Sequence, residues 1–391
     1  MVNLHPDKNF KAHSCIVLGS TGSVGTQTLD VVRETGLDVR LLAGGNNVTL
    51  LAEQVREFHP SVVSVTGEDS AKKLKELLGA DCPEVICHTN ELCSAIETTD
   101  ADVVFHSVGG LAGIPHALAA ARSGKRVGMA NKEAIIALGD VIFDEMKKSG
   151  GSLIPVDSEH SAIYRCLEGH SPEDVRKIVL TASGGPFFGK TAKELKSVTL
   201  TETLNHPTWK MGKKITVDSA TLMNKGFEII EAVRLFGVPE DRVDVVVHQQ
   251  SIIHSLVEYN DNTMLAQLGR PDMRDCIRYA ATAPHSYKVS GKGLSLAEIG
   301  SLTFDKPDNI AFPLLDAARS AIRTGGTMPA SLIAADEEAV SAFLSGKIRF
   351  SEIADYVIKT LGRVSVSREV TKKSVADAVE DARRIAREII G

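Results

Sequence analysis

Three acidic side chains stand in patterns that suit a cation-binding site. Asp157 and Glu159 lie two residues apart after the apolar run SLIPV, and in an extended chain both would face the same way. Two carboxylates this close repel unless a cation or a shared proton intervenes. Glu228 or Glu231, one helical turn apart in MNKGFEIIEA, would supply a third oxygen. Because the sequence has no Cys or His cluster of metal spacing, these carboxylates favour Mg²⁺ or Mn²⁺ over zinc, and a solvated acidic turn is the alternative.

Two polar segments contain donors that suit a phosphate group. SGGPF provides Ser183, and VDSATLMNKG provides Ser219, Asn224 and Lys225. Together they offer hydroxyl, amide and ammonium donors to an anion. Each residue by itself would serve equally well in a turn or as a helix cap. The set as a whole favours phosphate binding.

Two further segments are candidates for contact with a ligand. Lys132, in ANKE, falls at a predicted strand-to-helix junction, where a lysine opposes the helix dipole and so suggests a functional role. The segment NHPTWKMGK belongs to a connection, residues 184–213, that is long for a plain loop. We predict a mobile lid over residues 189–213, with His206 and Trp209 able to close over a ligand, although a lone loop histidine is more often a bystander.

A glycine-rich turn after the first apolar run is typical of a dinucleotide site. GSTGSVG, residues 19–25, follows CIVL directly and precedes a predicted helix. Its glycines permit a tight turn and the close approach of a pyrophosphate to the helix N-terminus. NAD-selective sites have an acidic residue about twenty residues later, whereas the second predicted strand ends in AGGNN, residues 43–47. The sequence therefore predicts NADP(H).

The composition indicates a globular protein and disfavours nucleic-acid or membrane partners. The 391 residues are 43% hydrophobic and 24% charged with a net charge of −6, which argues against disorder and against a polyanionic partner. The longest uncharged stretch, residues 103–121, contains three Gly and one Pro, so we expect no spanning helix. The first thirteen residues have no apolar run and the six cysteines are irregularly spaced. We therefore expect no secretory signal and reduced thiols in a bacterial cytoplasm, with a mature plastid protein as the alternative.

Apolar periodicity divides the chain into three predicted domains. Residues 1–156 alternate apolar runs with amphipathic stretches, which predicts a Rossmann-like α/β domain with a parallel sheet. Its seven predicted strands are CIVLG, VRLLAG, VVSVTG, EVICH, DVVFHS, KRVGMA and SLIPVD. Residues 157–284 predict a central α+β catalytic domain that includes a strand over Ile215–Val217. After a connector at 285–310, residues 311–391 predict a helical bundle.

Taken in order and spacing, these motifs resemble the 1-deoxy-D-xylulose 5-phosphate reductoisomerase family of the non-mevalonate (MEP) pathway of isoprenoid biosynthesis. The motifs are GSTGSVG, ANKE, PVDSEH, TASGGPF, HPTWKMG, DSATLMNKGFE and HQQSIIHSLVEY. The resemblance implies a homodimeric oxidoreductase that acts on a small phosphorylated keto-sugar. It implies rearrangement of the carbon skeleton and NADPH reduction of the resulting aldehyde to 2-C-methyl-D-erythritol 4-phosphate. It also implies a divalent cation, namely Mg²⁺, Mn²⁺ or Co²⁺.

The resemblance also implies roles for residues at matching motif positions. The metal ligands would be Asp157, Glu159 and Glu228, with Glu228 preferred to Glu231 because it follows NKGF. Catalysis would depend on these three residues together with Lys132 and His206.

Substrate and cofactor contacts follow from the same motif positions. The substrate would contact Lys132, Ser158, Glu159 and Glu228, and its phosphate end would contact Ser183, His206, Ser219, Asn224 and Lys225. Trp209 and Met211 would lie on the predicted lid, where Trp209 would also contact the substrate. NADPH would contact Thr21, Gly22, Ser23, Val24, Gly44, Gly45, Asn46, Asn131, Glu133 and Gly212.

Two other functions compete with this interpretation. A semialdehyde dehydrogenase would use a catalytic cysteine, but Cys166, in YRCLEG, falls within a predicted helix. A non-enzymatic NADP(H) sensor would not need the paired carboxylates of Asp157 and Glu159.

Overall fold

The chain forms two compact units. The computed structural model describes residues 6–290 and 292–391; the first five residues of the N-terminal stretch and position 291 of the predicted connector lie outside the described residues. The first unit comprises Met1–Ala134, Asp140–Tyr164 and Asp272–Gly291. The second unit comprises Ile135–Gly139, Arg165–Pro271 and Lys292–Gly391. The three functional domains with boundaries at 156, 284 and 310 remain a prediction.

A seven-stranded parallel sheet forms the centre of the first unit. Its strands are β1 (Ser14–Leu18), β2 (Asp38–Ala43), β3 (Val62–Ser64), β4 (Glu84–Ile86), β5 (Val103–His106), β6 (Arg126–Met129) and β7 (Ser152–Pro155). The order is β4-β3-β2-β1-β5-β6-β7. The direction of strand addition reverses beside β1, and ligands bind at such a reversal. All seven predicted strands are confirmed, because buried parallel strands appear in sequence as continuous apolar runs.

Helices connect and flank these strands. They are α1 (Ser23–Thr35), α2 (Val48–Phe58), α3 (Glu68–Leu78), α4 (Thr89–Thr98), α5 (Ile114–Arg122), α6 (Lys132–Ser149) and α7 (Ser158–Leu167). The alternation of strand and helix confirms the predicted Rossmann-like α/β class.

A smaller mixed sheet forms part of the second unit. Its strands are β8 (Val175–Ala182), β9 (Val243–Val247), β10 (Ile253–Tyr259) and β11 (Met264–Leu268). The order is β11-β10-β8-β9, with β8 and β9 parallel and the other two pairs antiparallel. The α+β prediction for this region is confirmed.

The remaining helices lie between residues 200 and 390. They are α8 (Leu200–Thr203), α9 (Lys213–Ala220), α10 (Met223–Phe236), α11 (Met273–Thr282), α12 (Leu296–Ile299), α13 (Leu314–Thr324), α14 (Met328–Leu344), α15 (Ile353–Leu361) and α16 (Lys372–Ile390). The last four confirm the predicted helical C-terminal region. In α16, the residues at spacings of three and four are the buried ones, among them Val375, Ala382 and Ile385.

The predicted strand over Ile215–Val217 is wrong. These residues belong to helix α9, which begins after Gly212. A short apolar run does not by itself distinguish a strand from a buried helix. Here the Thr216 hydroxyl donates to the Gly212 carbonyl at 2.8 Å, a bond that supports the first helical turn.

The glycine-rich turn after β1 is shaped by two glycines. Gly19 has φ +82°, a conformation that side chains disfavour. A Cβ atom added at Gly25 would lie 2.0 Å from the Gly19 carbonyl oxygen. The buried Gln54 then fixes the turn, because its amide accepts from the Ser20 hydroxyl at 2.8 Å and donates to the Ser20 carbonyl at 2.9 Å.

Gly25→Ala should destabilise the first unit, because the new methyl group has no space against the turn backbone. We expect the free energy of unfolding, measured by urea denaturation, to fall by about 1–3 kcal/mol, as for other overpacked cores. Gly45→Ala is the matched control, since nothing lies within 4 Å of its added Cβ. Equal losses in both variants would contradict this account of the turn.

Candidate active site

The turn between β1 and α1 has the geometry of an anion-binding site. Gly22 is the N-cap of α1, and no side chain caps this helix end. The first-turn residues Ser23 and Val24 therefore present backbone N–H groups, and the helix dipole favours a negative charge there. Ser23 is exposed, while Thr21 and Val24 are half-buried.

The segment after β2 leaves space beside this turn. A Cβ added at Gly44 would contact the Leu51 and Thr21 side chains, whereas Gly45 is open within 4 Å. Asn46 is exposed, and Asn47 caps α2 by accepting from the Leu50 N–H. The end of β2 thus combines free volume with neutral polar groups, as the NADP(H) prediction requires.

The predicted extended geometry of Asp157 and Glu159 is wrong. Strand β7 ends at Pro155, and α7 begins at Ser158. Asp157 precedes the helix, and its Oδ1 accepts from the Glu159 N–H at 3.2 Å. Carboxylates are favoured here because they accept from unpaired N–H groups and face the positive end of the dipole. The two carboxylates are nevertheless close, with ligand oxygens within 4.8 Å of each other.

Asp157 lies between two nitrogen groups. Its Oδ2 is 2.6 Å from Lys132 Nζ, and its Oδ1 accepts from His160 Nδ1 at 2.9 Å. Only 8% of the Lys132 side chain and 10% of the Asp157 side chain are exposed. Burial alone would raise the pKa of Asp157, but the charges of Lys132 and His160 outweigh it and hold the pKa well below its usual range. Asp157 is therefore an ionised carboxylate at neutral pH.

His160 is a site residue that the sequence reasoning missed. It lies three residues after Asp157, so both fall on one face of the helix start. The histidine in PVDSEH was the available signal. Beside it, the Ser158 hydroxyl donates to the Glu159 carboxylate.

The start of α6 combines a helix cap with the candidate residue Lys132. Asn131 Oδ1 accepts from the Ala134 N–H at 2.7 Å, and its Nδ2 donates to the carbonyls of Val108 and Gly110. The Asn131 side chain is therefore used as the helix cap. Lys132, the next residue, is placed by this cap at the carboxyl end of β6, and Glu133 follows half-buried in the first turn.

In the second unit, His206 joins two predicted phosphate-binding hydroxyls. Its Nε2 lies 3.1 Å from both Ser183 Oγ and Ser219 Oγ. Its Nδ1 accepts from the N–H groups of Thr208 and Trp209 at 3.1 and 2.9 Å, so the ring proton is on Nε2. Burial lowers the pKa of His206, which favours this neutral form. His206 is thus part of the cluster rather than a bystander.

The SGGP turn brings Ser183 to Ser219. Gly184 and Gly185 both have positive φ, and a Cβ at Gly185 would lie 2.8 Å from the Ser219 carbonyl oxygen. Strand β8 and helix α9 therefore approach closely at this point. The close approach explains the glycine pair in the motif.

Asn224, Lys225 and Glu228 form a second polar cluster on α10. Asn224 Nδ2 donates to Glu228 Oε1 at 2.6 Å, and the Lys225 ammonium donates to Glu228 Oε2. Lys225 is 5% exposed, and Glu228 and Glu231 are each 1% exposed. Because burial is equal, it does not distinguish Glu228 from Glu231 as a metal ligand.

Trp209 and Gly212 lie near the C-terminal end of the predicted lid. The Trp209 ring centroid lies 6.2 Å from that of His254, and Gly212 is the N-cap of α9. The predicted lid, residues 189–213, also contains the short helix α8, so part of it has regular secondary structure.

A surface cluster of mixed ligands was also not foreseen. Ligand atoms of Glu68, Cys87 and His88 lie within 4.8 Å of one another. Glu68 begins α3 and His88 caps α4, so both positive helix ends disfavour a cation there. The Glu68 and His88 side chains are 78% and 60% exposed. The cluster is best described as a solvated contact between exposed side chains.

The buried position of Cys166 argues against a cysteine enzyme. The residue is near the end of α7, and burial raises the pKa of its thiol to about 11. A nucleophilic cysteine needs a lowered pKa and access to solvent. Cys166 is therefore unsuited to be the nucleophile that a semialdehyde dehydrogenase would need.

Iodoacetamide should leave Cys166 unmodified at about pH 8, because the thiolate is the reactive form. Peptide mass spectrometry should find alkylation at the half-buried Cys82 and at neither buried thiol, Cys15 or Cys166. Protein unfolded in guanidinium is the control and should react at every cysteine. Inactivation that follows modification of Cys166 would favour the cysteine mechanism.

The fold and these clusters define a dinucleotide-dependent α/β enzyme for a phosphorylated substrate. Family models described as 1-deoxy-D-xylulose 5-phosphate reductoisomerase match residues 15–139, and its C-terminal domain models match residues 153–236 and 268–389. A relative of that name from Pelodictyon phaeoclathratiforme is 48% identical and covers 96% of this chain and 99% of its own. Another relative of that name, from Chlorobium phaeovibrioides, is 49% identical, and the match covers 88% of this chain and 91% of that protein. The chain belongs to the 1-deoxy-D-xylulose 5-phosphate reductoisomerase family.

Solved structures of this family agree with the fold. The enzyme from Zymomonas mobilis in complex with NADPH has a TM-score of 0.90 at 37% identity, covering 97% of this chain and 99% of that one. A reductoisomerase in complex with NADPH, fosmidomycin and magnesium has a TM-score of 0.89 at 36% identity, covering 97% and 98%. The family and fold predicted from the motifs are confirmed.

Proposed function

We propose that the protein converts 1-deoxy-D-xylulose 5-phosphate to 2-C-methyl-D-erythritol 4-phosphate, with NADPH as reductant and Mg²⁺ as metal, in the MEP pathway. One observation supports this most directly. The glycine-rich turn after β1 and the Lys132–Asp157 pair after β6 and β7 lie at the carboxyl ends of strands in one parallel sheet. The turn proposed for NADPH and the proposed metal ligand Asp157 therefore lie at the same end of this sheet, where ligands bind in such folds.

The residues fit both cofactors. For NADPH we propose the turn residues Thr21, Gly22, Ser23 and Val24, the segment Gly44, Gly45 and Asn46, and Asn131, Glu133 and Gly212. For the metal we propose Asp157, Glu159 and Glu228, an all-oxygen set suited to Mg²⁺, with Mn²⁺ or Co²⁺ as substitutes. A bound divalent cation polarises the ketone and neighbouring hydroxyl oxygens of the substrate.

Side chains around Asp157 position the part of the proposed site that would hold the metal and the sugar oxygens. Lys132 and His160 keep the Asp157 carboxylate ionised and oriented, so no proton must leave it before a cation binds. We assign Lys132 and Ser158 to the substrate oxygens near that carboxylate. Glu159, in the first turn of α7, takes part in both metal and substrate binding.

The phosphate end is assigned to the second unit. His206 donates from Nε2 toward the Ser183 and Ser219 hydroxyls, which orients both toward an anion. Asn224 and Lys225 add an amide and an ammonium group. Phosphate binding far from the reacting carbons supplies binding energy for orientation.

Glu228→Gln should lower turnover by at least about 100-fold and raise the Mg²⁺ concentration for half-maximal rate, because it removes a charged metal ligand. Glu231→Gln is the matched control, one helical turn away with equal burial. NADPH affinity, measured by fluorescence titration, should be unchanged in both. The reverse pattern would assign the metal to Glu231, and an unchanged Mg²⁺ titration in both variants would reject a ligand on α10.

We also propose that residues 189–213 act as a lid. The aldehyde formed before reduction is reactive in water, so exclusion of solvent is useful. Trp209 is placed for this role because its backbone N–H donates to Nδ1 of His206, the centre of the proposed phosphate site.

Addition of 1-deoxy-D-xylulose 5-phosphate and NADPH at saturating concentrations should change the emission of Trp209, because closure would bury its half-exposed indole further. The protein has one tryptophan, so the signal comes from this residue. Trp209→Phe removes the signal and controls for NADPH fluorescence. Unchanged emission during turnover would count against closure.

Assembly and location are proposed on separate grounds. The apolar side chains of Met264, Leu265 and Leu268 on edge strand β11 are 37–47% exposed, which supports a homodimer that covers this edge. All six cysteines are free, which supports the reducing cytoplasm of a bacterium. Among the described residues, no helix is long and apolar enough to cross a membrane.

A further inference from the structure

A partly exposed lysine and two buried carboxylates join helix α9 to helix α14. Lys214, in the first turn of α9, places Nζ 2.6 Å from Asp218 Oδ2 and 2.8 Å from Asp336 Oδ2. Asp218 is also on α9, whereas Asp336 is in the middle of α14. The Asp218 and Asp336 side chains are 4% and 0% exposed. One ammonium group therefore connects two buried carboxylates on different helices.

The placement of Lys214 is unfavourable without these partners. A cation in the first turn of a helix opposes the helix dipole. The ammonium also lies 4.9 Å from the centre of the Phe227 ring on α10, so three helices surround it. Neither Asp336 carboxylate oxygen has a hydrogen bond of good geometry within the described part of the chain, so the ion pair with Lys214 is the charge compensation that the structure shows for it. A completely buried carboxylate is costly unless paired, so the contact with Lys214 constrains where α9 can lie relative to α14.

Helix α9 contains a proposed phosphate-binding residue. Ser219 follows Asp218 directly, and its hydroxyl lies 3.1 Å from His206 Nε2. The same helix begins at Gly212, the end of the proposed lid. A shift of α9 along α14 would therefore move Ser219 away from His206.

We propose that Asp336 is a positioning residue for phosphate binding, acting through Lys214 on the Ser219 hydroxyl. Asp336 contacts no proposed ligand group; it sets the position of α9 from the C-terminal helices. This inference rests on the proposed phosphate site. The C-terminal region would thus contribute to binding of the phosphorylated substrate by positioning helix α9.

Asp336→Asn tests the proposal because it removes the link and leaves the buried charges balanced. Lys214 then retains Asp218, one ammonium against one carboxylate, so the fold should survive. We expect the KM for 1-deoxy-D-xylulose 5-phosphate and the Ki of inorganic phosphate as competitor to rise together by about 5–10-fold, as for a small misplacement of a binding group. The KM for NADPH should change less, within about twofold, since only one of its ten proposed contacts, Gly212, is at the N-cap of α9 and the others lie in the first unit.

Glu338→Gln is the matched control. Glu338 is also on α14 but pairs with Arg387 of α16, within the bundle. The same carboxylate-to-amide change there should leave the phosphate Ki unaltered. Asp336→Glu keeps the charge and should restore most of the affinity. If Asp336→Asn does not fold, Asp336→Ala takes its place, because it leaves the same charge balance.

The outcomes separate this inference from the proposed function. No turnover of 1-deoxy-D-xylulose 5-phosphate by the unaltered protein would reject the function itself. An active protein in which Asp336→Asn lowers the melting temperature but leaves the phosphate Ki unchanged would show a merely structural role and overturn the inference. Equal changes in phosphate Ki for Asp336→Asn and Glu338→Gln would overturn it as well.

Discussion

Lys132 and Asp157 form a nearly buried ion pair, and its position decides what the first unit can bind. Removing two charges from water is costly, so the pair persists only where both partners and further hydrogen bonds are held in place. The Asn131 cap fixes Lys132 at the start of α6, and His160 fixes the other oxygen of Asp157. The result is a carboxylate that stays ionised at the sheet edge, beside Glu159. The metal site proposed there would therefore not require a proton to leave Asp157 before a cation binds.

The sequence predicted the parallel sheet well because its strands are buried on both faces. Such strands appear as continuous apolar runs, and the glycine turn marks where the first of them ends. The sequence also predicts that Ser183 and Ser219 serve one anion, because their two motifs supply hydroxyl, amide and ammonium donors, and the structure brings both hydroxyls to His206. These features depend on residue type and local order, which a single sequence displays directly.

The wrong predictions of secondary structure fall where the local sequence is compatible with both a strand and a helix. The apolar residues of 215–217 fit a strand or a buried helix, and tertiary packing selected α9. Asp157 was placed in an extended segment, but a helix start offered its carboxylate unpaired N–H groups. His160 and Asp336 could not be assigned because their roles come from partners in three dimensions. Lys214 and Asp336 are 122 residues apart, and no short motif connects them.

The position of His206 within the proposed lid has a consequence for how binding energies combine. The Thr208 and Trp209 backbone N–H groups that donate to Nδ1 belong to the same segment as the imidazole, so they move with the ring and keep its proton on Nε2. Ser183 and Ser219, which Nε2 faces, lie outside residues 189–213. If the segment opens as proposed, the imidazole leaves both serines, and an anion that binds all three groups binds the closed form more tightly. By reciprocity, the anion must favour closure by the same free energy. Phosphate recognition and solvent exclusion would then be coupled through a single imidazole.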